Sequence, residues 1–553
     1  MAQEQKGGIM PNVTFEKSYI YRLVGKSISD ERLEDQIMKM GLGIEARDEK
    51  SITIEVDANR PDLLDPVGFA RALRNFMHIN RNFSYKIEDE VAAEVRVGRG
   101  VAEIRPYIAA LVVKGLKLDE VSLRHLINFT EKFCDTFGRG RKKIAIGLHD
   151  FSKVKPPIQY DAFPDETFVA LGGVSSSYSK IVESHEKGIK YRSTISSSKK
   201  LFPAIKDSEG TMALIPILNS ERTRVTEKTT EMFIDITGTE NYFIGKTADM
   251  MAAMFIDMGA KVYRVSISYP NKKTAVTPEM KKRIMNIPLI DMELQIGTVI
   301  GFNNVISLAN KMGYEAALVG KKVRFYVPPY RLDILNEQDI TEDIAIAYGY
   351  EYIKPIAIYS VQQGGVDQLT QIERKIAAIM TGMGFDENSN YYLTNEKVNY
   401  EWMRLAPDKE RVRIKNAKSA YITMARTSVL PSLLGNLGKS SHESMPQKLF
   451  EFDMTFSVQK GKPIEKYSLG AVMASPKSNF NDIKAVAEAV LHELYGSYSI
   501  EQSKSESFIE GRCAKIVVEG KQIGIIGEIH PEVLSNFGVY EPTFAIEINV
   551  LGV

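Results

Sequence analysis

The chain of 553 residues carries 71 Lys and Arg against 70 Asp and Glu, a net charge of +1, and is 44% hydrophobic and 25% charged. That balance excludes a polycationic trap for nucleic acid and a disordered polyelectrolyte, and no apolar run approaches the roughly 18 residues a membrane helix needs. Two distant cysteines, Cys134 and Cys513, suit a reducing cytoplasm and argue against a disulfide scaffold or a zinc site.

The polar start, residues 1–8, lacks an apolar signal core and reads as a loose tail. The length predicts about four domains. Over 1–90 the pattern is that of a small α/β unit: Ser29-Asp30-Glu31 opens a helix with Leu33, Ile37 and Met40 on one face, Gly41 closes it, residues 51–56 alternate as a strand, and a second helix follows Pro66.

From 91 to 265 a larger mixed α/β domain is expected. A strand over 104–113 and a helix over 122–137 lead into the basic turn Gly138-Arg139-Gly140-Arg141-Lys142-Lys143 and a strand over 144–150. His149 beside Asp150 fits a structural histidine next to a turn-capping Asp better than a catalytic pair. Residues 233–239 read as a strand running into a Gly turn, with Asp235 and Thr237 two apart and so on one face. An acceptor and a hydroxyl so placed bind an amine or position a water, or simply form the turn. The Met-rich run over 245–258 is a core helix. Between 261 and 283 seven basic residues, Lys261, Arg264, Lys272, Lys273, Lys281, Lys282 and Arg283, face the single Glu279. They form either a phosphate-facing segment or a solvated linker with a helix start at Thr277-Pro278-Glu279.

The most informative stretch closes the unit predicted over 270–352. Asn336 is a good N-cap for a helix carrying Ile340, Ile344, Ala347 and Tyr348, and Gly349 ends it. Five acids, Asp333, Glu337, Asp339, Glu342 and Asp343, fall within eleven residues. Carboxylates in a first helical turn gain roughly 0.3–1 kcal/mol from the macrodipole, while like charges at i+3 and i+4 lose about 0.2–0.5 each. The balance is near zero, so the cluster is either a solvated acidic face or the site of a hard divalent cation such as Mg²⁺. Asn59-Arg60-Pro61-Asp62-Leu63-Leu64 aligns with residues 330–335 at an offset of 271, and both segments follow a Lys-Met-Gly. In the first copy Gly68, Arg71 and Ala72 stand where the second has Asp339, Glu342 and Asp343. The scaffold therefore does not require the acids. Beyond Pro355 a helix over 369–383 opens an α+β region spanning 356–553.

Six blocks occur in order: Asn59-Arg60-Pro61-Asp62-Leu63-Leu64; Gly147-Leu148-His149-Asp150; Phe233-Ile234-Asp235-Ile236-Thr237-Gly238-Thr239; Arg331-Leu332-Asp333-Ile334 with Asp339-Ile340-Thr341-Glu342-Asp343; Arg426-Thr427-Ser428; and Gly527-Glu528-Ile529-His530-Pro531-Glu532-Val533. Together they resemble the β subunits of phenylalanyl-tRNA synthetases in their shorter archaeal and eukaryotic form. The resemblance implies an α/β and α+β multidomain protein with duplicated small helix-strand-helix units, an editing-type mixed domain and a C-terminal degenerate class II synthetase-like antiparallel sheet. It implies a cytoplasmic ligase of translation, an α2β2 heterotetramer that attaches phenylalanine to tRNA(Phe) with ATP and Mg²⁺. The aminoacylation site is expected on the α partner, and tRNA contact and hydrolytic editing of tyrosyl-tRNA(Phe) on this chain. Its Mg²⁺ ligands carry onto Asp333, Asp339, Glu342 and Asp343, and its editing pocket onto Asp235 and Thr237, with His185, Asn219 and Arg222 as further pocket candidates. Ala213 stands near where relatives carry a small hydroxyl residue. Arg426 and Glu451 are too far apart in sequence for a compact Arg-x-Glu adenylation motif, and the final strand-helix segment, 544–553, has no arginine to hold ATP. Two other readings are a free-standing Mg-dependent hydrolase, for which no metal-spaced His motif is present, and a non-enzymatic nucleic-acid-binding scaffold.

Overall fold

The computed structural model describes residues 11–79, 83–195, 201–359, 362–409 and 411–550; the tail expected over 1–8 lies outside them. The chain forms two compact units, residues 1–357 and 358–553.

The first unit contains a duplication. Asn12–Glu16, Lys17–Val24, Asp30–Lys39, Gly43–Arg47, Ser51–Glu55 and Pro66–Phe76 run strand, helix, helix, strand, strand, helix. The same order recurs in Arg283–Pro288, Leu289–Ile296, Phe302–Lys311, Glu315–Val319, Lys322–Val327 and Glu337–Tyr348. Both three-stranded sheets are antiparallel, with the third strand in the middle. Details repeat as well. The first helix of each copy ends on a left-handed glycine, Gly25 at φ 75° and Gly297 at φ 80°, a conformation that a Cβ would strain. The last helix of each is capped by its N-cap side chain, Asp65 accepting from the N–H of Val67 and Asn336 from that of Gln338. Arg60 closes a two-pronged pair on Asp62 at 2.9 and 3.0 Å, and Arg331 does so on Asp333 at 2.9 and 2.7 Å.

Between the copies lies a ten-stranded sheet. Its order is Leu218–Asn219, Gly210–Leu214, Phe202–Asp207, Ile158–Phe163, Glu88–Val97, Lys261–Ser268, Tyr107–Lys114, Glu231–Gly238 and Ile144–Asp150, with Thr274–Thr277 paired onto Lys261–Ser268. Glu88–Val97 runs parallel to both neighbours; the other pairs are antiparallel. Strand alternation splits the core in two. Met232, Ile234 and Ile236 pack in one cluster with Leu126, Phe129 and Phe133 of helix Glu120–Asp135 and with Met250, Met251, Met254 and Phe255 of helix Asn241–Asp257. Phe233 belongs to the other cluster, with Ala110, Val112, Met212 and Ala213. Each such side chain contributes roughly 1.5–3 kcal/mol on burial.

Some expected elements shift. The strand expected from 104 begins at Tyr107, because Arg105 is turned inward to bond Thr237. No helix starts at Thr277-Pro278-Glu279. The N–H groups of Glu279 and Met280 instead donate to Asp249 Oδ1 at 2.8 and 3.0 Å, which holds the chain in a non-helical path with Met280 at φ 56°.

The second unit is a seven-stranded sheet in the order Asp386–Glu387, Gln447–Gln459, Lys462–Ala474, Thr543–Asn549, Lys521–Ile529, Phe508–Val518 and Ser499–Gln502. It is antiparallel except at its first pair. Helices Gln368–Gly382 and Phe480–Tyr495 pack in one hydrophobic cluster, Leu430–Lys439 and Pro531–Phe537 in another. The closing segment is the strand Thr543–Asn549, and among the described residues no helix follows it. Also among the described residues, no helix is long and apolar enough to cross a membrane.

Candidate functional site

Asp235 and Thr237 lie on the strand Glu231–Gly238, flanked on both sides, with Asp235 in register with Ala110 and Gly147. A Cβ on Gly147 would stand 2.1 Å from Asp235 Oδ2, so only glycine leaves room for the carboxylate. His149 Nε2 lies 3.1 Å from that oxygen, and His149 Nδ1 lies 2.8 Å from Thr223 Oγ1. Asp235 is 1% exposed, and its Oδ1 is buried without a hydrogen-bond partner. A buried acceptor left bare costs about 1–3 kcal/mol. Such an oxygen can accept from an O–H or N–H donor. Thr237 is tied down by Arg105, whose Nε donates to Oγ1 at 2.9 Å and whose Nη2 donates to the Thr237 carbonyl at 2.6 Å. Burial pulls the Arg105 guanidinium below its ordinary pKa.

The other candidates divide. Asn219 Nδ2 donates to the carbonyl of Leu148, next to His149, and Asn219 is in register with Ala213. His185 instead caps the helix Glu186–Tyr191, accepting from the Lys187 N–H at 3.1 Å. Arg222 clamps Asp207 at 2.6 Å and the Lys153 carbonyl at 2.8 Å. Asp150 is the turn-capping residue expected, accepting from the N–H and Oγ of Ser152. Its neighbour His149 joins Asp235, a link that sequence reasoning missed. The available signal was alternation: Gly147 and His149 share a face of their strand as Asp235 and Thr237 do of theirs.

At the acidic helix, Glu337–Tyr348, the reason for the crowding differs from the expectation. Arg331 Nη2 lies 2.7 Å from Asp333 Oδ2 and 2.6 Å from Asp343 Oδ2, and Tyr314 donates its hydroxyl to Asp343. Burial pushes the Asp333 carboxyl up, but Arg331 and then Arg60 outweigh it and leave its pKa below the usual value. Asp343 is raised, chiefly by burial against the pull of Arg331. Asp339 Oδ2 accepts from the N–H groups of Leu335 and Asn336 at 2.6 and 2.8 Å, so it closes a capping box. Glu342 is exposed and raised by desolvation, then by Asp343 and Asp339. It lines a cavity of about 330 Å³ with Gln338, Asp339, Thr341 and Tyr350. The acids thus do not need a bound ion to coexist, since a guanidinium and backbone donors already offset three of them. Among the described residues no group of three or more His, Cys, Asp or Glu is placed to hold a metal.

Two further patterns resolve. In the basic stretch, Lys261 pairs with Glu88, Arg264 with Asp89, Lys281 with Glu279 and Lys282 with Glu315, while Arg283 donates to the Ile334 carbonyl. Lys272 and Lys273 remain exposed. The segment is therefore not a continuous phosphate-facing row. In the second unit, Arg426 and Glu451 meet at 2.6 Å, each 1% exposed, with Asn390 donating to Glu451 twice.

Three family models match in succession: "B3/4 domain" over residues 92–254, "tRNA synthetase B5 domain" over 285–350, and "Phenylalanyl tRNA synthetase beta chain CLM domain" over 356–550. The chain is 35% identical to a protein of Methanocaldococcus jannaschii named "Phenylalanine--tRNA ligase beta subunit", covering 98% of this chain and 100% of the relative. It is 34% identical to one of the same name from Archaeoglobus fulgidus, covering 98% of each. Among solved structures, an N-terminal fragment of the phenylalanyl-tRNA synthetase beta-subunit from Pyrococcus horikoshii aligns with a TM-score of 0.58 and 33% identity. That alignment covers 62% of this chain and all of the fragment.

Proposed function

The chain belongs to the family of phenylalanine–tRNA ligase β subunits, and on that premise we propose that it edits mischarged tRNA(Phe) as part of an α2β2 ligase. In this reading the α subunit holds phenylalanine and ATP and performs the aminoacylation, in the cytoplasm. The region 91–265 hydrolyses tyrosyl-tRNA(Phe), the small unit over 270–352 carries the acidic helix, and 356–553 is a class II-like scaffold without an adenylation site. The buried Arg426–Glu451 pair supports the last assignment, because each group is already the other's counter-charge.

The observation that carries the editing proposal is the bare Oδ1 of Asp235. A pocket built for phenylalanine rejects an added hydroxyl poorly, whereas a site that must hydrogen-bond that hydroxyl rejects the analogue lacking it by a large factor. Tyrosine's phenol gives Asp235 Oδ1 its missing donor. Phenylalanine would bury the same oxygen unpaired. His149 fixes the other carboxylate oxygen and so aims Oδ1, and Thr223 fixes His149 in turn. Thr237, held by Arg105, lies two residues along the same strand face to bind the aminoacyl end.

Mg²⁺ enters this reading in a restricted form. Asp339 and Glu342 would take the ion with retained water, as suits a cation that dehydrates reluctantly, and Asp333 and Asp343 would join only if Arg331 were drawn away. The editing proposal is tested by tyrosyl-tRNA(Phe) hydrolysis with Asp235→Asn: loss of deacylation with intact phenylalanylation is expected, and an unchanged rate rejects it.

A further inference from the structure

A cavity of about 400 Å³ opens between the first small unit and the large sheet, lined among others by Asn59, Thr136, Phe137, Arg139, Lys143 and Phe243. It has no residue in common with the Asp235–His149 cluster or the acidic helix. One wall is aromatic: Phe137 and Phe243 meet edge to face at 5.7 Å, and outside the lining Tyr242, 54% exposed, meets Phe243 at 5.4 Å. Another is the basic turn after helix Glu120–Asp135, in which Arg139, Gly140 and Arg141 have φ of 51°, 62° and 63°.

The cations of this turn have different occupations. Arg141 is committed inward, donating to the carbonyls of Pro216 and Ile217 at 2.9 and 3.1 Å and lying 4.3 Å over the Tyr191 ring. Lys143 is paired with Glu240. Arg139 and Lys142 are exposed and, among the described residues, have no carboxylate partner. Asn59 adds an amide from the opposite side, where the second small unit has the buried Tyr330 at the matching position. Free cations near the half-buried Phe137 and Phe243 and the exposed Tyr242 offer the pair of interactions that single-stranded nucleic acid uses, phosphate on charge and base on ring.

We propose that this cavity binds one nucleotide of single-stranded RNA, its base against Phe243 of the lining and the exposed Tyr242 that packs on it, and its phosphate on Arg139 of the lining and the exposed Lys142, which precedes the lining Lys143. The proposal rests on the reading that the protein handles tRNA and adds a location to it. Duplex is disfavoured, because its bases already stack on one another and present no free face to Tyr242.

The test uses the full chain purified with its partner subunit, and tRNA(Phe) and AMP as separate probes. Arg139→Asn with Lys142→Gln removes both charges, and Asn tolerates the positive φ at 139. For that variant tRNA affinity is expected to fall about tenfold, with the slope of log K against log salt shallower by about 1.4 for two phosphates. Tyr242→Ala is expected to weaken tRNA binding about five- to tenfold with little change in that slope. Equal melting temperatures of variants and parent establish that the fold is kept. Wild-type binding with every variant within twofold of it overturns the proposal and leaves the tRNA reading standing. A wild-type complex that binds no tRNA removes the reading and the proposal together. Variants that lose AMP but keep tRNA overturn the RNA assignment in favour of a free mononucleotide.

Discussion

His149 and Asp235, 86 residues apart in sequence, meet at 3.1 Å in the interior of the large sheet, each at most 1% exposed. The imidazole occupies one carboxylate oxygen and leaves the other to a ligand. Removing the imidazole frees the carboxylate to turn. His149→Ala is expected to slow tyrosyl-tRNA(Phe) hydrolysis by about tenfold or more, the worth of one charge-assisted hydrogen bond. Rapid-quench deacylation measures it, and His149→Gln, which keeps a donor near Asp235 Oδ2, should recover part of the rate. Equal rates for all three proteins would remove His149 from the pocket.

Arg331 is the counter-charge of two buried acids. Arg331→Met should cost about 3–5 kcal/mol, because Asp333 and Asp343 are left buried without their shared counter-charge. Thermal denaturation reads the loss. Added Mg²⁺ should raise the melting temperature of the variant more than that of the parent, since only in the variant do Asp333 and Asp343, beside Asp339 and Glu342, lack the guanidinium between them.

Asp65 gives a pH-dependent prediction. Burial, against the N–H groups of Val67 and Gly68, pushes its carboxyl pKa from 3.8 to about 7. The folded state then holds a proton that the unfolded chain releases, so this group's contribution is fully present below about pH 4 and is lost as pH rises through about 7. Asp65→Asn keeps the N-cap and copies the second small unit, which has Asn336 at the same place. The variant should match the parent near pH 4 and exceed it at pH 8 by at most about 4 kcal/mol, read from denaturant midpoints across that range. A parent more stable than the variant at pH 8 would contradict the assignment.

Arg426→Met leaves Glu451 buried without its partner, and about 3–5 kcal/mol of stability should go with it. Phenylalanine-dependent ATP–pyrophosphate exchange by the assembled complex should be unchanged once the protein is folded. A selective loss of exchange at full stability would instead place Arg426 in nucleotide binding.

The small units were legible because their signals are local: caps, helix-ending glycines and alternation within about 30 residues. The core role of Met250, Met251 and Met254 was legible for the same reason, and all three are buried. What escaped depends on partners distant in sequence. The helix start expected at Thr277 fails because Asp249, 30 residues upstream of Glu279, captures the N–H groups. The acidic cluster was read as a sum of repulsions along one helix, without the guanidinium that a preceding loop turns back onto it. His149 was weighed against its neighbour Asp150 instead of against a strand yet to come.

Arg71 stacks 3.8 Å from the Tyr330 ring centroid and also holds Asp257, at the end of helix Asn241–Asp257, at 2.8 Å. Tyr330 adjoins Arg331, so the acidic helix, the first small unit and the far end of that helix share one fastening. The second small unit cannot swing away without stripping a buried guanidinium of its aromatic cover while its carboxylate stays behind. Loosening the acidic helix therefore weakens the anchorage of helix Asn241–Asp257 as well, so the two small units and that helix are stabilised together.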